Sequence, residues 1–182
     1  MRKLPLPAEY GVLCACEAGE TEREQHAAAY AMLREMLRHR YGLDELPEIL
    51  RTERGKPYFP AHPEIRFSIS HCRGLAVCLL SDRECGVDAE GRRPLREKVA
   101  ARVFTPEEQA ALRRAADPDM LFTRLWTLKE AYVKAIGIGV SYPMQELCFS
   151  LAGDTVQSNR TDAAFFHFMP EGFAVSVCLL TA

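Results

Sequence analysis

No run of apolar residues in this chain approaches the ~18 needed to cross a bilayer. The opening segment, MRKLPLPAEYG, carries two prolines where a secretory signal would have an apolar core. A cytoplasmic location with no membrane partner is expected. Excess charge of either sign is lacking too. With 23 Lys+Arg against 25 Asp+Glu the formal net charge is -2, so no bulk attraction draws nucleic acid, and any polyanion site must come from local clustering. No nucleic-acid partner is expected. C-x-x-C spacing is also absent. The seven cysteines are odd in number and sit mostly in apolar company, as in VLCAC, AVCLL and SVCLL, where the thiol behaves as a small buried hydrophobe. A disulfide framework or zinc site has little support.

What is present is the composition of an ordinary globular protein: 182 residues, 48% hydrophobic and 26% charged, enough for one substantial domain or two small fused halves. Residues 11–16 read as a strand. Thr21 stands three residues before Glu24, a capping-box spacing, and the stripe Ala28, Met32, Leu33, Met36, Leu37 predicts a helix that Gly42 ends. Strands are predicted at 65–70, 75–80 and 85–90. Thr105 as N-cap, Pro106 at the first position and Glu108 at the third predict a helix start in FTPEE. Asp117 and Pro118 break that helix, and a longer one is predicted over about 119–136, stopping at GIG. Strands return at 146–151, 163–168 and 173–180. GLAVCLL at 74–80 resembles GFAVSVCLL at 172–180. Two buried strands of similar composition explain this, and so do two related α+β halves with a cleft between them.

Four patches carry chemistry. In ECGVDAE, Asp88 and Glu90 are two residues apart, so on a strand they project to one side. A hydrated strand end accounts for such a pair, and so does a hard cation such as Mg²⁺, which takes few carboxylates and keeps other positions for water or phosphate. In RLWTLKEAYVKAIGIG, Trp126, Glu130 and Lys134 are spaced by four and share one helical face, with Lys129 one residue round. An exposed Glu–Lys pair would do that as well, but it leaves the chain's only Trp on that face unexplained. The basic turn RTERGKPYF sets Arg51, Arg54 and Lys56 around Gly55, a place where backbone N–H groups can also meet an anion. FSISH brings Ser68, Ser70 and His71 to a strand end, a weak signal alone.

Taken in order, R-T-x-x-G-K-P, F-x-I-S-H, G-V-D-x-E and W-T-x-K-E-A-x-x-K-A-x-G resemble the 4′-phosphopantetheinyl transferase superfamily, in its longer, two-halved, surfactin-synthetase-activating type, over about residues 21–180. The resemblance implies an α+β fold. It would be one domain of two pseudo-symmetric halves, about 1–92 and about 93–182, each a long helix on a small, mostly antiparallel sheet. It implies transfer of the phosphopantetheine arm of coenzyme A to a serine of an acyl or peptidyl carrier protein, with release of adenosine 3′,5′-bisphosphate. Asp88, Glu90 and Glu130 match the family's Mg²⁺ ligands, with Mn²⁺ as a substitute, and Asp88, Glu130 and Lys134 its catalytic set. Glu130 is also the family's candidate base for the attacking serine. Lys129 and Lys134 would bind the diphosphate, and Arg51, Arg54, Lys56, Ser68, Ser70 and His71 the nucleotide and its phosphates. A monomer is expected, because two fused halves form the cleft alone.

The pattern departs from the family in places. Where the first helix usually opens with Lys or Arg, this chain reads EREQHAA, with Arg23 and His26 the nearest substitutes. Ala89 and Cys72 stand where larger aliphatic and Ser residues are common. Glu108, which the family often has near the metal, is read here as a capping residue. An acidic carrier would meet either RRPLREKVAAR or the turn around Met144. A Mg²⁺-dependent phosphoesterase using water as nucleophile is the alternative enzyme, and a catalytically silent coenzyme A or carrier-binding protein the alternative without turnover.

Overall fold

The computed structural model describes residues 1–153 and 155–181, with Val140 described by its backbone alone. Its architecture is α+β. Among the described residues, eleven strands and four α-helices run in the order β1 (Arg2–Lys3), β2 (Val12–Glu17), α1 (Glu22–Tyr41), β3 (Leu50–Arg51), β4 (Pro57–Tyr58), β5 (Arg66–Cys72), β6 (Leu75–Ser81), β7 (Cys85–Glu90), α2 (Glu97–Val103), α3 (Pro106–Arg114), α4 (Pro118–Ile136), β8 (Phe149–Ala152), β9 (Thr155–Ser158), β10 (Ala163–Phe168) and β11 (Ala174–Leu180).

The helix starts follow their chemistry. Thr21 and Thr105 each accept from the third backbone N–H of their helix while Glu24 and Glu108 reach back, two complete capping boxes. Gly42 and Gly137 close α1 and α4 in the left-handed region, at φ 69° and 71°. Asp117, expected only as a breaker, caps α4 by accepting from the Met120 N–H. Several elements went unforeseen, the short strands β1, β3, β4 and β9 among them. Residues 97–103 are helical despite their density of charge, and the first part of the strand expected at 146–151 belongs to a 3₁₀ turn, Met144–Glu146.

The strands form an antiparallel sheet of order β1-β2-β6-β5 and another of order β10-β11-β7. Alternation along the strands divides their faces. Cys14, Ala76, Cys78 and Leu80 pack with the Ala29–Leu33–Leu37 face of α1. Leu13, Ala15, Val77 and Leu79 join Val87, Val175, Val177 and Leu179 in one apolar layer shared by the two sheets. Helix α4 covers the opposite face of the second sheet, against β7 and β11.

β7 is the hinge of the arrangement. It follows β6 in sequence, yet its ladder is with β11, with Asp88 opposite Ser176. Its outer edge is not left open. The Ser68 and Ser70 hydroxyls of β5 accept from the Val87 and Ala89 N–H groups at 3.0 and 3.2 Å, so side chains from one sheet satisfy the free backbone of the other.

Candidate functional site

A cavity of ≈ 520 Å³ opens along this seam. It gathers residues from α1 (His26, Tyr30), the β3–β4 turn (Arg51, Arg54, Gly55, Lys56), β5 (Ser68, Ser70, His71), β7 (Asp88, Glu90) and α4 (Glu130, Lys134). All four patches singled out in the sequence thus contribute to one lining, although they are spread over more than eighty residues.

Asp88 stands at its centre, 6% exposed. Its Oδ1 accepts from Lys134 Nζ at 2.6 Å and from the Ser70 hydroxyl at 3.0 Å. Lys134 Nζ also donates to Ser70 Oγ and to the Val87 carbonyl, at 3.1 and 3.2 Å. The other carboxylate oxygen, Oδ2, is buried and lacks a hydrogen-bond partner. Leaving such an atom unpaired is unfavourable unless a cation or donor completes it.

Two further carboxylates crowd the same space. Burial raises the pKa of Glu130, and the negative charges of Asp88 and Glu90 push it the same way, against Lys134. Burial likewise raises the Glu90 pKa, with Arg93 opposing and Asp88 adding. Arg93 pairs with Glu90 at 2.9 Å while stacking over Trp126. It was not foreseen, and its one sequence signal is an opposite charge three residues after Glu90. Trp126 itself packs toward Phe122 beneath Arg93 and does not line the cavity.

The residues expected to meet the nucleotide divide. Arg51 donates to the Gly55 carbonyl at 2.9 Å across the tight turn that Gly55, at φ 88°, permits, and both Arg51 and Arg54 remain exposed beside the cavity. Lys56 lines the cavity, but its ammonium is held by Glu84 and by the Ala135 carbonyl at the end of α4. His71 Nδ1 donates to Gln25 Oε1, 3.3 Å away, and burial followed by the charges of His26 and Lys134 lowers its pKa. His26 stacks on Tyr30 and lies edge-on to His71. Arg23, the other substitute considered, does not line the cavity.

One expectation is corrected outright. Lys129 does not face the cavity. It is fully buried on the other side of α4, in an ion pair with Glu108 at 2.8 Å, and it donates to the Met144 carbonyl at 2.8 Å. One residue round the helix from Glu130 is about 100°, which is enough to move a side chain from cleft to core. Glu108 has the capping role expected of it and adds that pair and the Phe149 N–H at 2.9 Å. Burial lowers the Lys129 pKa, with Glu108 acting in the opposite sense.

Among the described residues, no three His, Cys, Asp or Glu side chains are drawn together into a ready metal cage. Mg²⁺ does not require one. It is commonly bound by one or two carboxylates, with phosphate and water in the other positions. The unpaired Oδ2 of Asp88, beside Glu90 and Glu130 in one cavity, is a donor set of the right chemistry.

Comparison with known proteins agrees with the motifs. The family model for the 4′-phosphopantetheinyl transferase superfamily matches residues 84–178. A 4′-phosphopantetheinyl transferase of Bacillus subtilis is 36% identical over 118 residues, covering 63% of this chain and 52% of that protein. 4′-Phosphopantetheinyl transferase Sfp of Bacillus subtilis (strain 168) is 32% identical over 68% of this chain and 56% of its own length. 4′-Phosphopantetheinyl transferase AcpT of Escherichia coli O157:H7 is 40% identical over 63% of this chain and 58% of its own. The chain therefore spans a little over half the length of these three relatives. A solved structure, the Thermotoga maritima holo-[acyl-carrier-protein] synthase, aligns at TM-score 0.46 with 21% identity, over 53% of this chain and 62% of that one.

Proposed function

The chain belongs to the 4′-phosphopantetheinyl transferase superfamily, and we propose that it transfers the 4′-phosphopantetheine arm of coenzyme A to a serine of an acyl or peptidyl carrier protein. The observation that carries this reading is the buried, unpaired Oδ2 of Asp88, set with Glu90, Glu130 and Lys134 in one cavity.

In the proposed reaction the carrier serine Oγ attacks the phosphorus that bears the pantetheine arm. The bond from that phosphorus to the 5′-phosphate oxygen breaks, and adenosine 3′,5′-bisphosphate leaves with the electron pair. Phosphoryl transfer asks the protein mainly for positioning and charge neutralisation. Mg²⁺, or Mn²⁺ in its place, would be held by Asp88, Glu90 and Glu130 and would neutralise diphosphate charge when bound. Lys134, fixed by Asp88 and Ser70, stands ready to meet the leaving phosphate. The Glu130 carboxylate, its pKa raised by burial, is suited to receive the serine proton at one of its oxygens. Arg51, Arg54 and the His26–His71 pair would hold the nucleotide end of coenzyme A.

The two segments considered for the carrier are one surface. Helix α2 and the Met144–Glu146 turn are in contact, and Gln145 Nε2 donates to the Ala101 carbonyl at 2.8 Å. Arg96, Lys98 and Arg102 give it positive charge, which fits an acidic carrier helix. A monomer of two pseudo-repeats in the cytoplasm is part of the same proposal. Among the described residues no helix is long and apolar enough to cross a membrane.

Incubation with coenzyme A, Mg²⁺ and a panel of apo carrier proteins tests it by intact mass. A phosphopantetheine increment on the carrier serine is expected. Hydrolysis of coenzyme A with the carriers unchanged would replace this reading with the phosphoesterase. Binding of coenzyme A and carriers without either product would replace it with a silent binding protein.

A further inference from the structure

Behind the acidic cavity the second sheet carries a row of polar side chains that the proposed chemistry does not use. His167 on β10 is the ladder partner of Ser176 on β11, and Ser176 is the partner of Asp88 on β7. The row faces α4. Both His167 and Ser176 are buried, at 3% and 0% exposed, and so is Thr127 of α4 at 0%.

Their hydrogen bonds close on themselves. Arg124 Nε lies 2.9 Å from His167 Nε2. Because Arg Nε can only donate, His167 Nε2 must accept, and the ring proton therefore sits on Nδ1. His167 Nδ1 then donates to Ser176 Oγ at 3.0 Å. Ser176 passes its own proton to Thr127 Oγ1 at 2.8 Å, and Thr127 donates to the Arg124 carbonyl at 2.9 Å. Every donor in the ring has one acceptor, running from the Arg124 side chain back to the Arg124 backbone. Burial and the adjacent Arg124 charge hold the His167 pKa down at about 3, so the neutral tautomer persists.

We propose that this ring is a register lock for α4, making His167, Ser176 and Thr127 positioning residues for the transfer reaction. This inference rests on the function proposed above. Thr127 is one turn before Glu130 and two before Lys134. Whatever fixes Thr127 on Ser176 fixes where Glu130 and Lys134 stand relative to Asp88 on the neighbouring strand. The apolar contacts of α4 with the sheet cannot do this alone, since apolar contact is non-directional and tolerates sliding. A fully satisfied polar ring specifies one register.

The test uses Thr127→Val, which keeps the shape and removes the hydroxyl, together with Ser176→Ala, His167→Asn and the pair Ser176→Ala/His167→Asn. Turnover, coenzyme A affinity by calorimetry and the melting temperature are measured on each, and amide exchange follows α4 and α1. We expect kcat to fall about tenfold or more, as small misplacements do, with coenzyme A affinity within about threefold. The double variant should be no worse than the poorer single, because the ring acts as a unit. Exchange should quicken in 124–134 and stay unchanged in α1, and Thr127→Ser should retain the parent turnover. A kcat loss that matches only the fraction unfolded, or additive losses in the double variant, would overturn the lock. If the parent protein modifies no carrier, the function fails; the exchange pattern still decides the lock by itself.

Discussion

Gly86 on β7 lies directly beneath the Ala131 carbonyl of α4: a Cβ placed on Gly86 would stand 2.0 Å from that oxygen and 2.5 Å from the Ala135 nitrogen. Both obstacles are helix backbone, so neither can swing aside. The missing side chain is what lets α4 approach β7 closely enough for Lys134 to reach Asp88.

Gly86→Ala should therefore lift α4 from the sheet. The expected cost is about 2 kcal/mol of stability, the range of an overpacked core, read from urea unfolding, together with a large loss of transfer activity. A variant as stable and active as the parent would show that the helix does not need this approach.

Glu130→Gln separates function from stability. The Glu130 pKa is raised in the fold, so the protonated form is favoured there, and stability is gained as pH falls through the folded value and lost as pH rises. Removing the charge should raise the metal-free melting temperature at pH 7 while abolishing transfer. Asp88→Ala should be inactive with its fold retained. Full activity in either variant would sink the metal assignment.

Lys129→Met tests its removal from the diphosphate site. Glu108 would be left buried and unpaired, a loss of about 3–5 kcal/mol, measurable by denaturant titration. Adding Glu108→Gln should recover part of it. Among molecules that remain folded, the Michaelis constant for coenzyme A should hardly change. A selective rise in that constant with normal stability would return Lys129 to the cavity.

Lys56→Ala should act through two routes. The ammonium ties the basic turn to Glu84 and to the end of α4, so its loss should lower the melting temperature and raise the coenzyme A Michaelis constant through misplacement of Arg51 and Arg54. A kcat change without either effect would contradict this account.

The His167 ring predicts a pH dependence of opposite sign to that of Glu130. A histidine held neutral, with its folded pKa at about 3 against roughly 6.5 unfolded, takes up a proton on unfolding. Stability is lost as pH falls from roughly 6.5 toward 3. His167→Asn should flatten that slope in urea titrations at pH 6.5, 5.5 and 4.5. An unchanged slope would mean that His167 titrates in the folded protein.

Local signals in the chain determined a good deal unaided. The two capping boxes, the αL glycines after α1 and α4, and strand β10 needed only short-range chemistry, and they lie where the spacing placed them. The family was legible because G-V-D-x-E and W-T-x-K-E-A-x-x-K each pack several charged residues at fixed spacing. Pairings across the chain were not legible. Which sheet β7 joins depends on the ladder with β11, and a strand's own alternation cannot name its partner. Lys129 and Lys134 read alike in sequence, yet a rotation of the helix sends one to Glu108 and the other to Asp88. The His167 ring has no sequence signature, because its members come from α4, β10 and β11. Helix period and cap chemistry act over four residues; register and charge pairing are decided by which surfaces the apolar layers bring together.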